Sequence, residues 1–373
     1  MNEIVVSDKL ALAEDQHPVI AICYDFDKTL SPKDMQEYTL FPKLGWPAQK
    51  FWTRSNNDAK THGMDKIASY MRLILKIAEE QDSDLALTKE AFMDLGKGVE
   101  LFDGLDTWFS RINEYAAEKG FNTEHYIISA GLKEIIEGTA IGHNFKAIYA
   151  STFFYNKFGV PQWPSQVVNF TQKTQYLFRI NKNCLDLADE DSVNKVVAKA
   201  DRRIPFERFI YIGDSDTDIP AMRVVKMEKG FSIGVYNPKN EDGAEKICRL
   251  IADDRINFFA PADYRQDRPM ETYVKKAIDQ IRANYEVAQV TKAQAELAGL
   301  MSYVRGFEEF LLDRSNVLTD LTVSKRNVDS FFKDVFTDVK EMYSGECFVP
   351  NDVISSLKKI KNDLLVRLRE KAK

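Results

Sequence analysis

Short apolar runs along the chain have the pattern of buried β-strands. Each run is nearly continuous in apolar residues, as expected for a strand that is covered on both faces. The runs are PVIAICYDF (18–26), HYIISA (125–130), FKAIYAS (145–151), RFIYIGD (208–214) and GFSIGV (230–235). Helical segments separate several of them, for example GLDTWFSRINEYAAEKG (104–120) and DSVNKVVAKADRR (191–203). This alternation predicts an α/β fold with a doubly wound, mostly parallel sheet that is covered by helices.

Two regions interrupt the alternation. Between residues 31 and 98 there is no strand-like run, and the segments 65–80 and 88–98 have the periodicity of amphipathic helices. This pattern indicates a helical insertion after the first strand. We therefore predict an α/β core (1–30 and 99–282), a helical insertion (31–98) and a helical C-terminal extension (283–373).

Composition and charge narrow the classes of partner. Of the 373 residues, 44% are hydrophobic and 12% are aromatic, which is enough for a substantial core. The formal net charge of -6 argues against a nucleic-acid or acidic-membrane binder, because those proteins carry a basic excess. No apolar run approaches the roughly 20 residues of a membrane-spanning helix, and the N-terminus is too acidic for a signal peptide. The scattered cysteines predict reduced thiols and a cytoplasmic location.

Polar side chains with reactive chemistry follow several of the predicted strands. Asp25 and Asp27 stand two residues apart at the end of the first run, so their side chains point the same way. Two carboxylates this close resist ionising together unless a positive group lies between them. Ligands of parallel sheets bind beyond the carboxyl ends of the strands, where these groups would meet. Further candidates are Thr29, Ser129, Gly131, Lys173, Asp214, Asp216 and Asp218, of which Asp216 is interpreted as solvated.

This ordered set resembles the haloacid dehalogenase superfamily of phosphohydrolases over about residues 18–282. The four motifs of that family are DxDxT, a Ser or Thr after a strand, a lysine that leads a helix, and GDxxxD. They are matched in order by Asp25, Asp27 and Thr29, by Ser129, by Lys173, and by Gly213, Asp214 and Asp218. The joint occurrence of DxDxT and GDxxxD is the most specific part of the resemblance. It implies a Rossmann-like core.

The resemblance also implies a mechanism and a cofactor. Asp25 would attack phosphorus and form an aspartyl-phosphate, while Asp27 would protonate the leaving oxygen and then deprotonate the attacking water. Mg2+ would be held by the Asp25 and Asp214 carboxylates and the backbone carbonyl of Asp27, with Asp218 as a further metal-site residue. The phosphoryl group would be bound by Thr29, Ser129, Gly131 and Lys173.

The aspartate at position 27 favours one class within the superfamily. Dehalogenases of this fold lack an acid/base aspartate there, because a halide leaves without a proton. Phosphatases and phosphomutases carry it. Hydrolysis of a phosphomonoester is therefore the expected reaction.

The insertion at 31–98 resembles the helical cap of phosphoserine phosphatase-like members, and the segment 149–163 resembles their short hairpin. In those enzymes an acidic residue after the first motif binds the substrate amine, and an arginine on a cap helix binds the carboxylate. Asp34 and Arg72 fall at comparable places, which implies a small, phosphoserine-like substrate. Aromatic residues such as Trp46 and Trp52 equally favour a bulkier one.

Alternatives to a phosphatase stay open at this stage. The protein could be a catalytically idle or regulatory binding protein with a phosphatase-like core, or a phosphotransferase of the same fold. For 283–373, a helical bundle packed on the core competes with a module for homo-oligomerisation or for docking a protein partner. We expect a small phosphorylated substrate for the core, and neither nucleic acid nor membrane as a partner.

Overall fold

The predicted apolar runs lie side by side in one sheet. The computed structural model describes residues 17–80, 87–214, 216–240, 243–313, 321–342 and 351–371. Within these residues the strands are β1 (Val19–Tyr24), β2 (Asn122–Leu132), β3 (Phe145–Tyr155), β4 (Pro161–Gln166), β5 (Phe209–Gly213), β6 (Phe231–Tyr236) and β7 (Phe258–Pro261). Their order is β4-β3-β2-β1-β5-β6-β7, and all neighbours are parallel except β3 and β4. The predicted α/β fold is confirmed.

Strand β1 lies between β2 and β5 near the centre of the sheet. Its last residue, Tyr24, pairs with Ile127 of β2 on one side and with Ile212 of β5 on the other. Parallel strands end at the same edge of a sheet, so the segments that follow these strands start close together. Two of the motif segments therefore adjoin the end of β1 through the strand pairing alone.

The helices alternate with the strands along the chain. The α-helices are α1 (Leu40–Leu44), α2 (Ala48–His62), α3 (Lys66–Glu80), α4 (Lys89–Gly96), α5 (Leu105–Glu118), α6 (Lys133–Glu137), α7 (Gln172–Lys182), α8 (Glu190–Asn194), α9 (Ile219–Met227), α10 (Gly243–Ala252), α11 (Pro269–Asp313), α12 (Leu321–Met342) and α13 (Asn351–Lys371). One-turn 3-10 helices lie at Met35–Glu37, Gly142–Asn144, Lys199–Asp201 and Phe206–Arg208.

Successive side chains of β1 pack into different helical layers. Cys23 belongs to a buried cluster with Leu177 of α7 and Val225 of α9. The Tyr24 ring meets the Phe109 ring of α5 edge to face, with 6.1 Å between the centroids. Full burial of a large apolar side chain such as Leu177 or Phe109 contributes about 1.5–3 kcal/mol. Both faces of β1 are thus covered, which explains its continuous apolar sequence.

Some elements differ from the expectation. Helix α2 was not predicted, because its buried face includes Ser55 and Asp58 and so has a weak apolar period. Strand β7 is too short to give a clear pattern. The prediction of a helix over 191–203 is wrong beyond α8 and one 3-10 turn. Val196 is 94% exposed, so this apolar residue does not hold the segment against the core.

The described residues from 282 onward form a compact unit that is distinct from the unit containing 17–281. The later part of α11, α12 and α13 share an apolar core with the spacing of packed helices. Its fully buried members include Val328, Phe332, Leu357 and Leu364. The predicted C-terminal helices are therefore present. None of the helices in the described part of the chain is long and apolar enough to span a membrane.

A buried polar network joins α5 to β1 and β2. The Tyr24 hydroxyl lies 3.0 Å from Nδ1 of His125 and accepts a hydrogen bond from Trp108 Nε1 at 2.9 Å. Nε2 of His125 lies 2.8 Å from the Asn113 Oδ1 acceptor, so this nitrogen carries the proton. Burial lowers the pKa of His125 to about 3. The imidazole is therefore neutral in the folded protein.

We predict that acidification destabilises the core through His125. Its pKa is about 3 in the folded protein and 6.5 ordinarily, so the unfolded chain takes up the proton first as the pH falls. The stability contributed by the neutral imidazole is complete above about pH 6.5 and decreases by up to about 1.4 kcal/mol per pH unit below it. Urea unfolding at about pH 7.5 and about pH 5.5 measures this loss. Tryptophan fluorescence is a suitable probe, because all 4 tryptophans lie between residues 46 and 163.

The control separates His125 from other titrating groups. The His125→Gln variant has no imidazole, so its free energy of unfolding should change less between the two pH values, by about 1.4 kcal/mol. The matched His62→Gln variant changes an exposed histidine and should keep the wild-type difference. The same pH dependence in wild type and His125→Gln would contradict the prediction.

Candidate active site

The acidic residues that follow β1 and β5 meet at the carboxyl edge of the sheet. The backbone N–H of Asp25 donates to the carbonyl of Ile212 at 2.9 Å, so the pairing of β1 with β5 continues past Tyr24. One carboxylate oxygen each from Asp25, Asp214 and Asp218 lies within 4.8 Å of the others. The structure thus brings together three of the residues that were predicted for the metal site.

A lysine ammonium is buried against these carboxylates. Lys173 lies in the first turn of α7 and is 0% exposed. Its Nζ donates to Asp218 Oδ1 at 2.6 Å and lies 3.0 Å from Asp25 Oδ2. The Tyr211 hydroxyl donates to the same Asp218 oxygen at 2.8 Å. Lys173 was predicted for this site, whereas Tyr211 was missed, because a tyrosine within an apolar strand gives no signal of a polar contact.

The lysine does not balance the negative charge of the cluster. Burial, followed by the neighbouring Asp218, raises the pKa of Asp25 to about 6 despite the opposing effect of Lys173. Burial and the neighbouring Asp25 raise the pKa of Asp214 well above its ordinary value. Burial opposes the charge of Lys173, but Asp218 and Asp25 outweigh it and raise the pKa of the lysine. Lys28 and Lys173 both oppose the rise at Asp214, yet its pKa stays raised, and a bound cation would relieve the excess of negative charge that remains.

The donor atoms of the cluster fit a hard divalent cation. Asp25, Asp214 and Asp218 offer only carboxylate oxygens, and within the described chain no imidazole or thiolate joins them. Such a set suits Mg2+. Asp214 is only half-buried, so the cluster opens to solvent on its side. Gly213 is needed here, because a Cβ at that position would lie 2.7 Å from Asp218 Oδ2.

Asp27 is held beside the cluster by the chain that follows it. Its Oδ1 accepts a hydrogen bond from the Met35 backbone N–H at 2.7 Å. Its Oδ2 faces Gly131, where a Cβ would lie 3.2 Å from that oxygen and 2.1 Å from Met35 Cε. Burial, followed by Asp34 and Asp25, raises the pKa of Asp27 well above its ordinary value. A carboxyl that retains its proton is suited to protonate a leaving oxygen.

Ser129 and Gly131 occupy the last part of β2. The expectation that both follow the strand is wrong, because β2 continues to Leu132 and α6 begins only after it. The pairing of β2 with β3 shifts register between Ile128 and Leu132. Ser129 and Gly131 lie within this irregular part of the strand. The buried Ser129 Oγ accepts a hydrogen bond from the Gly131 N–H at 3.2 Å. Their role in phosphate binding stays a prediction.

Thr29, the last residue of the first motif, lies in the interior of the protein. The residue is buried, and among the described residues its hydroxyl has no hydrogen-bond partner. Its backbone carbonyl accepts a hydrogen bond from the Tyr264 hydroxyl at 2.8 Å. The backbone is thereby anchored while the hydroxyl keeps its hydrogen-bonding capacity.

The two residues predicted to bind the amine and the carboxylate of a substrate are engaged by other side chains. Asp34 Oδ1 lies 2.8 Å from Lys28 Nζ. Arg72 Nη1 lies 3.6 Å from Asp58 Oδ2 on the neighbouring helix. On α3, Arg72 is rotated by roughly 200° from Tyr70, which lines the cavity described next. Asp34 borders the site, whereas Arg72 is not brought to it; its role in substrate binding stays a prediction.

A cavity of about 260 Å³ opens beside Asp27, with walls from both the insertion and the core. Lys66, Ile67 and Tyr70 line it from one face of α3. The Tyr70 hydroxyl donates to the Ala130 carbonyl at 2.8 Å and so connects this helix to the end of β2. Most lining residues were missed, because a helical period identifies the apolar face and not the polar positions that adjoin a cavity.

A second cavity lies elsewhere. It has about 540 Å³ and is lined by residues including Arg223, Met227 and Arg255. It shares no residue with the carboxylate cluster, and its larger volume is not evidence of a catalytic role. The smaller cavity beside Asp27 is therefore the candidate substrate pocket.

Several solved structures resemble this chain. A HAD family hydrolase from Salmonella enterica serovar Typhi has 18% identity and a TM-score of 0.43, with 66% of this chain and 68% of that chain covered. A phosphoserine phosphohydrolase-like protein from Francisella tularensis has 22% identity and a TM-score of 0.38, with coverage of 65% and 94%. A probable phosphoserine phosphatase from Vibrio cholerae has 11% identity and a TM-score of 0.45, with coverage of 72% and 67%. At these identities and TM-scores, the similarity gives no information about the activity of this chain.

Comparisons of sequence give a relative and a family. An uncharacterized protein of Borreliella burgdorferi is 27% identical over 290 residues, which are 71% of this chain and 98% of the relative. The model of the haloacid dehalogenase-like hydrolases matches residues 22–223, more than half of the chain. That range contains the whole carboxylate cluster and Lys173. The chain therefore belongs to the haloacid dehalogenase-like hydrolase family.

Proposed function

We propose that the protein is a magnesium-dependent phosphomonoester hydrolase that acts on a small phosphorylated metabolite through an aspartyl-phosphate. The observation that carries this proposal is the meeting of Asp25, Asp214, Asp218 and Lys173 at the carboxyl edge of the sheet. Asp27 stands beside them with a raised pKa and borders a cavity. The proposed nucleophile, the proposed acid and the positive charges that would face the phosphate then lie within one site.

In the first step, a carboxylate oxygen of Asp25 attacks phosphorus and the bond from phosphorus to the ester oxygen breaks. The Asp25 carboxyl is oriented by the Phe26 N–H, which donates to its Oδ1 at 2.7 Å. Asp27 gives its proton to the departing oxygen, so an alcohol leaves instead of an alkoxide. The products of this step are the aspartyl-phosphate and an ionised Asp27.

In the second step, Asp27 takes a proton from water, and the resulting hydroxide attacks phosphorus. The bond from phosphorus to Asp25 breaks, which releases inorganic phosphate and restores both carboxyl groups. The hydrogen bond from Met35 keeps Asp27 in place for both proton transfers. Asp27 thus serves first as acid and then as base, because the leaving oxygen and the attacking water occupy the same side of the phosphorus atom.

Positive charge makes the approach of a phosphate to this acidic site possible. Mg2+ held by Asp25, Asp214 and Asp218, with the Asp27 backbone carbonyl as a predicted further ligand, would neutralise charge on the phosphoryl oxygens. Lys173 supplies the permanent cation, 3.0 Å from Asp25. We further propose the Thr29 and Ser129 hydroxyls as phosphate donors, with the Gly131 N–H orienting Ser129 Oγ, to which it donates at 3.2 Å.

A binding protein without catalysis is the main alternative. Such a protein has no need for a lysine buried between two carboxylates or for a second carboxyl with a raised pKa, because both are costly to bury. Phosphoryl transfer to a second substrate differs only in what displaces the aspartyl-phosphate. Docking of a partner through the C-terminal helices stays a prediction.

The nucleophile is tested by the Asp25→Asn variant. The amide has no carboxylate oxygen to attack phosphorus, so hydrolysis of p-nitrophenyl phosphate with Mg2+ should decrease by about 10³-fold or more. The wild-type rate should also disappear when EDTA removes the metal. If wild-type turnover does not exceed that of the variant, the protein is a binding protein and not this enzyme.

The acid is tested by the Asp27→Asn variant in single-turnover reactions. p-Nitrophenolate leaves without a proton, whereas an alcohol such as glycerol needs one. The variant should release glycerol from glycerol phosphate about 10²-fold more slowly than wild type, and p-nitrophenolate less than about 10-fold more slowly. Equal slowing of both substrates, measured by rapid quench, would remove Asp27 from the role of acid.

The metal site is tested by Asp214→Asn with Asp216→Asn as its matched control. Both substitutions remove one carboxylate from the same loop, but only Asp214 belongs to the cluster, and Asp216 is exposed. Calorimetric titration with Mg2+ should show an affinity at least about 10-fold weaker in Asp214→Asn and close to wild type in Asp216→Asn. Equal affinity in the two variants would contradict the assignment.

A further inference from the structure

A lysine ammonium lies at the edge of the cavity beside Asp27. Lys28 stands between Asp27 and Thr29 in the first motif, and 49% of its side chain is exposed. Its Nζ lies 2.8 Å from Oδ1 of Asp34, a residue that lines the cavity. The DxDxT motif accepts any residue at position 28, so the motif gave no reason to predict a charge there. The ammonium is nevertheless accessible beside the candidate substrate pocket.

The charge of Lys28 acts on several carboxylates of the site. Burial raises the pKa of Asp27 and of Asp214 well above the ordinary value, and Lys28 opposes this rise at both. Burial opposes the charge of Lys28 in turn, but Asp34, Asp214 and Asp27 outweigh it and raise the pKa of the lysine. The ammonium and these three carboxylates therefore form one electrostatic group.

The backbone of Lys28 is in the left-handed region, with φ at 60°. This conformation suits glycine, whereas a residue with a Cβ is strained in it. The turn that imposes it is closed by the Leu30 N–H, which donates to the Phe26 carbonyl at 2.8 Å. Strained backbone of this kind clusters at functional sites, where the surrounding structure holds it in place. A lysine at a position that suits glycine therefore points to a role for its side chain.

The contact with Lys28 gives Asp34 a partner within the chain. The resemblance to phosphoserine phosphatase-like members implied that Asp34 binds the amine of a substrate. In this structure the ammonium of Lys28 lies beside that carboxylate instead. A partly exposed ion pair contributes little to stability. The main consequence of the pair is therefore the position of the ammonium at the edge of the cavity.

A cation at this place has opposite effects on the two ions that the proposed reaction needs. It repels Mg2+, because it acts on Asp214, which belongs to the carboxylate cluster. It attracts a phosphate anion that enters the same site. A residue that only supported the fold would change the two affinities in the same direction. The sign of each change therefore distinguishes a role of the charge from a structural role.

We infer that Lys28 is a second phosphate-attracting cation of the site, in addition to Lys173, and that Asp34 anchors its ammonium and does not bind a substrate amine. The inference rests on the proposed function and adds a residue to it. Lys28 acts through its charge: it raises the affinity of the site for phosphate and lowers the affinity for Mg2+.

Binding of each ion to the Lys28→Met variant tests the inference. Calorimetric titration should give a Mg2+ affinity about 3- to 10-fold tighter than that of wild type, because a like charge is removed. In saturating Mg2+, the affinity for inorganic phosphate should be about 3- to 10-fold weaker. Lys28→Arg keeps the charge and should retain both affinities within about twofold. Unchanged affinities in Lys28→Met, or a shift of both in the same direction, would overturn the inference.

Lys33→Met is the matched control for the loss of one charge. Lys33 is exposed on the same loop, and its ammonium lies 5.7 Å from the centroid of the Tyr38 ring. Both affinities should stay within about twofold of wild type, because solvent screens this charge. Asp34→Asn removes the negative partner of Lys28 and should shift both affinities in the direction opposite to Lys28→Met. An effect of Lys33→Met as large as that of Lys28→Met would overturn the inference.

Lys28→Gly keeps the test independent of folding. Glycine suits the left-handed backbone at this position, so the urea midpoint of this variant should be close to or above that of wild type. The variant should show the same two shifts in affinity as Lys28→Met, because it also lacks the ammonium. A folded Lys28→Gly variant with wild-type affinities would overturn the inference.

The binding measurements separate failure of this inference from failure of the proposed function. If wild type does not hydrolyse p-nitrophenyl phosphate with Mg2+, the proposed function fails. Calorimetry with Mg2+ and inorganic phosphate needs no turnover and then still decides the inference. Opposite shifts of the two affinities in Lys28→Met support it, and equal affinities, or no binding of either ion to wild type, overturn it.

Discussion

The contact on which the site depends is the one between the buried Lys173 ammonium and the carboxylates of Asp25 and Asp218, at 3.0 Å and 2.6 Å. Acidic groups this close raise one another's pKa and would take up protons without a cation among them. Replacing such a buried ion leaves its partners uncompensated, which typically costs about 3–5 kcal/mol. The lysine therefore opposes the rise in the pKa of Asp25 and holds the cluster together, and the excess of negative charge that remains favours binding of a divalent cation. The proposed nucleophile, metal ligands and phosphate counter-charge all derive from this arrangement.

The fold supplies this contact through the order of its strands. β1 pairs directly with β5, so Asp25 and Asp214 leave neighbouring strands at the same edge of the sheet. Close approach is possible because Gly213 and Gly131 have no side chain where Asp218 and Asp27 pack. The insertion then completes the site from the other side. Its first turn orients Asp27 through Met35, and α2 and α3 enclose the cavity in which the leaving group would lie.

Individual residues show which parts of the site sequence patterns predict and which they do not. Asp25, Asp214 and Lys173 were predicted correctly as neighbours because each follows a strand or begins a helix in a recognisable motif. Ser129 was placed after its strand, whereas β2 continues past it to Leu132 with a shift in register. Arg72 has the right spacing from the first motif but lies on the wrong face of α3 and pairs with Asp58. Motif spacing reports position along the chain, whereas a side chain reaches a site only through the rotation and packing of its helix.

The sequence by itself determined the α/β class, the family and the acidic centre, because apolar period and motif order are local properties of the chain. Only the tertiary structure decided which polar residues face one another across distant segments. The Tyr70 contact to the Ala130 carbonyl and the Arg72–Asp58 pair both belong to this second kind. Neither has a period or spacing of its own, since each arises where separately formed elements pack together. The cavity beside Asp27 likewise follows from the packing of the insertion against the core and not from the motifs.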